Sequence, residues 1–293
     1  MQRDYPLARL TTLRTGGAAG WFARPRTAAE LQSLLAWANE EGIDVGVVGS
    51  GSNLLVADLG FAGLVLKLDG PLAAIEHDAE RLLCGGGARL PQAAARSAAL
   101  GLTGIEFGVS IPGTVGGAVR MNANAYGGEL ARVLEWVEVC TAQGVDRRRP
   151  DQLGFAYRRS NLGPGEIVAR VSFALEPQDP EAVKATLADL RARRREAQPS
   201  GIKTFGSTFK NPDPERTAGR LLEEAGCKGL QIGAARFSPK HANFIENLGS
   251  ATTADVVALI AEGRRRVREH SGVVLEPEVQ LLGDVQFPWV PGS

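Results

Sequence analysis

At 293 residues the chain is long enough for two domains, or three small ones. Hydrophobic residues make up 44% and charged residues 23%, an ordinary globular balance that excludes a disordered or membrane-spanning chain. Thirty-three basic residues offset thirty-three acidic ones, which excludes a global affinity for nucleic acid or acidic membranes.

The first clear element is TAAELQSLLAWANEEG (27–42), a helix with Thr27 and Glu30 at capping-box spacing and Gly42 at its end. The run 43–68 reads as strand, Gly/Ser/Asn turn, short strand, turn and strand. Two more strands follow over 72–84, then a short helix over 91–101 that opens on Pro91. The stretches 132–144 and 166–175 alternate like half-buried strands. A long helix over 180–199 stops at Pro199, its arginine-rich end suiting the negative end of the helix dipole. The spacing predicts further helices over 214–229 and 252–272, the latter with Thr252 and Asp255 as capping pair, and a returning strand over 273–283. Helices and strands mix without regular βαβ alternation, so the fold class is α+β.

The cysteines, Cys84, Cys140 and Cys227, are odd in number and scattered, which argues against a disulfide framework or zinc site and for buried thiols in a reducing cytoplasm. The histidines are equally scattered, so no metal is expected. The N-terminus lacks the apolar core of a secretion signal, and no run approaches the ~18 apolar residues of a membrane span. The expected location is the cytoplasm, with no membrane or nucleic-acid partner.

Two glycine-rich loops stand out: GSGSNL (49–54) and the loop within SIPGTVGGAVRMNANAYGGE (110–129). The first lacks the third glycine of G-x-G-x-x-G, and the second has no G-K-[ST], so neither is a common nucleotide fingerprint. Glycines still let backbone N–H groups approach an anion, with Ser50, Ser52, Asn53 and Thr114 as added donors. Tight turns in a twisted sheet share the same pattern, and spacing does not separate the two.

Seven segments occur in a telling order: TTLRTGG (11–17), VVGSGSNLLV (47–56), the stretch 110–129, FAYRRSNL (155–162), GSTFKNP (206–212), SPKHANFIEN (238–247) and LEPEV (275–279). Together they resemble the UDP-N-acetylenolpyruvoylglucosamine reductase family, in its shorter subtype without an extra substrate-covering loop. The resemblance implies an FAD-binding fold of the vanillyl-alcohol-oxidase type. Residues 1–71 would form one FAD-binding subdomain, joined by a returning strand within 277–293. Residues 72–198 would form the second subdomain and 199–276 a substrate-binding domain. It implies non-covalent FAD, since loop 49–54 holds no histidine for attachment. FAD would be held by Val48, Gly49, Ser50, Gly51, Ser52, Asn53 and Leu54, by Ser110, Ile111, Pro112, Gly113, Thr114, Gly116, Gly117 and Ala118, and by Asn122. The implied reaction uses NADPH to reduce UDP-N-acetylglucosamine enolpyruvate to UDP-N-acetylmuramate for peptidoglycan precursors.

That reaction delivers hydride from flavin N5 to the enolpyruvyl CH₂ and must then stabilise charge at C2 and protonate it. Arg158, at the Y-R-x-S position, suits the substrate carboxylate because a guanidinium binds it with two parallel hydrogen bonds. Ser207 is the implied proton donor to C2. Glu278 is the implied third catalytic residue, useful when protonated or when it orients a water or Ser207; Glu276 is its neighbour on the same strand face. Tyr126, Lys210, Asn211, Lys240, His241 and Asn243 are implied substrate contacts. An oxidase of the same FAD fold and a flavin-binding module without activity are the competing readings.

Overall fold

A computed structural model describes residues 1–289, so the last four residues of the expected C-terminal return lie outside the described residues. Packing divides the chain into two units: residues 1–2, 21–50 and 63–194 form the first, and 3–20, 51–62 and 195–293 the second. Residues 1–71 contribute to both units.

In the first unit, the helix Ala28–Glu40 starts where Thr27 Oγ1 accepts from the Glu30 N–H at 3.1 Å. Glu30 reaches back to the Arg26 N–H at 2.7 Å rather than to Thr27, so the expected reciprocal box closes one residue early. Leu31, Leu35 and Ala38 bury their face against Leu64, Leu66, Cys140, Ile167 and Ala169. The strand Val45–Val47 pairs in parallel with Leu64–Leu66 and leads into the first glycine loop.

The main sheet is antiparallel, in the order Gly144–Arg148, Leu134–Thr141, Ile167–Ala174, Arg81–Gly85, Ile75–Asp78. The strand expected as half-buried over 166–175 is buried on both faces. Ile167 and Ala169 join the cluster with the helix Ala28–Glu40, while Val168, Val171 and Phe173 join the cluster that takes in the helices Leu90–Ala99 and Pro180–Ala197.

The second unit packs Phe205, Phe209, Leu222, Phe237, Ile245, Leu259 and Ile260 into one core. Its longest helix, Thr253–Ser271, carries the full capping box, with Asp255 N–H on Thr252 Oγ1 and Thr252 N–H on Asp255 Oδ2, both at 3.0 Å. Gly272 ends it at φ 73°. The helix expected over 214–229 spans only Ala218–Glu224. Asp213 Oδ1 takes the Glu215 and Arg216 N–H groups at 3.0 and 2.6 Å and delays the start until Thr217 caps it.

The strand expected over 273–283 is also interrupted. Gln280–Leu282 pairs in parallel with Leu54–Val56, but Pro277 pairs elsewhere, opposite Phe209. That bridge is of the non-hydrogen-bonded kind: Lys210 N–H donates to Glu276 O and Glu278 N–H to Thr208 O, both at 2.8 Å. Pro277, with no N–H, fits there without leaving a broken bond. Among the described residues, no helix is long and apolar enough to cross a membrane.

Candidate active site

The first unit brings the two glycine loops together. Ser50 Oγ donates to Pro112 O at 3.2 Å. Gly49 lies so close to Thr114 that a Cβ on it would meet Thr114 Oγ1 at 2.4 Å. The second loop is fixed by its main chain: Leu90 N–H donates to Gly113 O, Val115 N–H to Ala88 O and Gly116 N–H to Gly86 O. Thr114 caps the short helix Val115–Arg120 by accepting from Gly117 N–H at 3.4 Å. Arg194 donates to Ser110 O, and Ser110 Oγ to Leu190 O at 3.3 Å, so the loop is tied to the long helix as well.

Lys67 donates to Gly49 O at 2.5 Å. Burial first, then the nearby Arg24 and Arg89, pull its ammonium below the ordinary value. Positive charge is thus gathered behind the first loop, which suits an anion at the loops.

Gly113 carries a different message. Its φ lies outside the left-handed region, and a Cβ there would find only Ile111 Cγ2 at 4.0 Å. Neither conformation nor protein packing requires glycine at this position. That face of Gly113 is open to a molecule lying against the backbone.

Asn122 is 1% exposed and sits at φ 39°. Its Nδ2 donates to Glu129 Oε1 at 2.8 Å and Ala156 O at 3.2 Å, while its buried Oδ1 has no partner among the described residues. Ala156 and Arg159 exchange main-chain hydrogen bonds at 3.0 and 3.1 Å, which places Tyr157 and Arg158 at the tip of a two-residue turn. Arg158 has φ 56°, is half-buried, and donates through Nη1 to Asn124 Oδ1 at 3.0 Å and Asn124 O at 3.2 Å. Arg159 beside it is exposed. Tyr126 and Gly127, at φ 50° and 82°, form the primed turn between Asn124–Ala125 and Gly128–Glu129.

The second unit gathers Ser207, Glu278 and residues 51–54. Gly206 N–H donates to Ser52 O at 2.7 Å, which sets Ser207 beside that loop. Asn53 Nδ2 donates to Glu278 O at 3.1 Å, and Gln280 N–H donates to Asn53 O at 3.0 Å. The Asn53 Oδ1 is buried without a partner among the described residues. Glu276 is exposed and pairs with Lys210 at 3.0 Å, whereas Glu278 is half-buried.

Several side chains expected at the substrate also hydrogen-bond to backbone. The Asn243 amide binds the Phe209 backbone at both ends, and Asn211 Oδ1 accepts from Ala218 N–H at 3.0 Å. His241 Nδ1 accepts from Asn243 N–H at 3.2 Å, and its ring packs edge-on to Phe244 with centroids 5.0 Å apart. Burial holds its pKa below the usual histidine range. Lys240 is exposed and donates to Arg195 O at 2.6 Å. Tyr126 is 46% exposed on its turn, open to a ligand. Asn124, Lys67 and Arg194 were missed from sequence. The Asn122–Asn124 alternation within NANAY was the signal for the first, and nothing short of tertiary packing points to the other two. Among the described residues, no three His, Cys, Asp or Glu groups gather to hold a metal ion.

Comparison with known proteins gives two family matches. Residues 198–282 match the UDP-N-acetylenolpyruvoylglucosamine reductase C-terminal domain, and residues 20–147 match an FAD binding domain. A UDP-N-acetylenolpyruvoylglucosamine reductase of Anaeromyxobacter dehalogenans is 46% identical over 98% of this chain and 86% of its own length. The crystal structure of UDP-N-acetylenolpyruvylglucosamine reductase (MurB) from Thermus caldophilus superposes with a TM-score of 0.82 at 39% identity, covering 94% of this chain and 97% of that one. A VAO-type flavoprotein of Myceliophthora thermophila, 13% identical with a TM-score of 0.53, covers 88% of this chain and 71% of that one and shares the fold alone. Within the first unit, the Asn122 amide oxygen, without a partner among the described residues, and the open face of Gly113 leave room for a group such as the FAD named by the matching family.

Proposed function

We propose that this chain, which belongs to the UDP-N-acetylenolpyruvoylglucosamine reductase family, uses NADPH and FAD to reduce UDP-N-acetylglucosamine enolpyruvate to UDP-N-acetylmuramate. The observation that carries the reading is the convergence on Asn53: its loop takes the Gly206 N–H ahead of Ser207, and its amide holds the Glu278 carbonyl.

FAD, when bound, supplies hydride chemistry. Residues 48–54, 110–114, 116–118 and Asn122 would hold it. Backbone N–H groups of the glycine loops would suit its diphosphate, and the unpartnered amide oxygens of Asn53 and Asn122 would be available to accept hydrogen bonds from it. Reduction of the enolpyruvyl double bond leaves charge at C2 that spreads into the substrate carboxylate. Arg158 meets that charge, and one well-placed donor of this kind is worth about 3–4 kcal/mol. Ser207 gives its hydroxyl proton to C2. A hydroxyl is a weak acid, but a carbanion is a strong enough base to take its proton, and general acid catalysis contributes ~10²–10⁴-fold.

Glu278 assists Ser207 by orienting it or a water beside it. Tyr126, Lys210 and Lys240 serve the diphosphate and sugar of UDP, while Asn211, His241 and Asn243 hold the backbone that presents them. The test is stopped-flow flavin absorbance with NADPH and then substrate. Ser207→Ala and Arg158→Ala should leave flavin reduction intact and slow its reoxidation by substrate. Equal loss of both half-reactions refutes the assigned roles, and a purified protein that takes up no FAD refutes the enzyme.

A further inference from the structure

We propose that Asn124 is a positioning residue for Arg158, holding its guanidinium in the orientation that meets the substrate carboxylate. The inference rests on the reading of Arg158 given above. An arginine side chain carries about 2 kcal/mol of rotamer freedom, and a guanidinium that must meet a planar carboxylate edge-on loses rate if it wanders. Arg158 gains two restraints on the same nitrogen, from Asn124 Oδ1 at 3.0 Å and Asn124 O at 3.2 Å. Its backbone is fixed as well. The turn places Arg158 at φ 56°, where an L-residue stays only if its surroundings hold it, and Asn122 Nδ2 grips that turn at Ala156 O. Two alternate residues of one segment thus hold the turn and the side chain it carries.

The choice of an amide has a chemical reason. Asparagine accepts a hydrogen bond from the guanidinium without neutralising it. An aspartate at 124 would make the same contact as an ion pair, and its charge would compete with the substrate carboxylate for Arg158.

The experiment follows both half-reactions of the holoenzyme by flavin absorbance, with thermal midpoint as a folding control. Asn124→Ala is expected to slow reoxidation by substrate about tenfold, the scale of one hydrogen bond to a charged group, with flavin reduction by NADPH unchanged. Asn124→Ser keeps an oxygen and should recover most of the rate. Asn124→Asp should raise KM for the substrate more than Asn124→Ala does. In an Arg158→Ala background, Asn124→Ala should cause no additional slowing. Wild-type reoxidation in Asn124→Ala, set against slow reoxidation in Arg158→Ala, overturns the positioning role. Equal slowing of both half-reactions by Asn124→Ala overturns it too. Wild-type reoxidation in Arg158→Ala instead sinks the reading of Arg158 on which the inference stands.

Discussion

The Asn243 side chain closes a two-point clamp on Phe209: Phe209 N–H donates to Asn243 Oδ1 and Asn243 Nδ2 donates to Phe209 O, each at 2.9 Å. Phe209 is fully buried and lies two residues after Ser207, so the clamp fixes the extended segment that presents the proposed proton donor. Asn243→Ala strands a buried N–H and a buried carbonyl, at about 1–3 kcal/mol for each unsatisfied group. Denaturant titration should show a loss of about 2–6 kcal/mol, accompanied by slower flavin reoxidation. An unchanged unfolding midpoint with only a raised KM would return Asn243 to the substrate.

Gly49 and Gly113 predict opposite outcomes from the same substitution. Gly113→Ala meets nothing in the protein, so the apoprotein should gain about 0.4–1 kcal/mol from a less flexible unfolded chain. The added methyl occupies space assigned to FAD, and the dissociation constant from flavin fluorescence should rise at least tenfold, the effect of about 1.4 kcal/mol. Gly49→Ala drives a methyl into Thr114 and should destabilise the apoprotein itself. A stable Gly113→Ala variant with unchanged FAD affinity would remove the cofactor from that face.

The glycine loops and the capped helices were legible because local chemistry dictates them. Thr252, Asp255 and Gly272 act within one turn of where they sit. The start of the helix at Ala218 was misread because Asp213 competes for the same backbone N–H groups, a contest that hydrophobic spacing does not register. Pairing of Pro277 with Phe209, 68 positions away, is a tertiary fact with no local trace. The site follows the same division. Ser207 and Glu278 came from family resemblance, whereas the roles of Asn243 and His241 in holding backbone appear only when their partners do.

Glu276 and Glu278 share a strand face by spacing, but their surroundings differ. Glu276 is exposed, pairs with Lys210 and sits opposite it in the short ladder. Exposed pairs of this kind contribute little. Glu276→Gln should therefore keep near-normal turnover, while Glu278→Gln should slow flavin reoxidation and spare flavin reduction. A larger loss from Glu276→Gln would reverse the assignment.

His241 gives a pH dependence whose sign follows from its hydrogen bond. Its Nδ1 accepts from the Asn243 N–H, which requires a neutral ring, and burial lowers its folded pKa below the unfolded value of about 6.5. Glu223 favours the charged ring and Lys228 opposes it, but burial is the largest influence. Between the folded and unfolded pKa values the unfolded chain binds more protons, so stability rises with pH across that window. The contribution is fully present above about pH 6.5 and is lost as pH falls from there through the folded pKa. His241→Asn keeps an acceptor oxygen for the Asn243 N–H and removes the titration. Urea midpoints at about pH 7.5 and about pH 5.5 should fall further for the wild type than for His241→Asn. Because Asn243 clamps Phe209, the wild type should also lose flavin-reoxidation rate over the same interval more steeply than the variant. Parallel pH profiles for the two proteins would show that His241 titrates alike in the folded and unfolded chains and would overturn the lowered folded pKa.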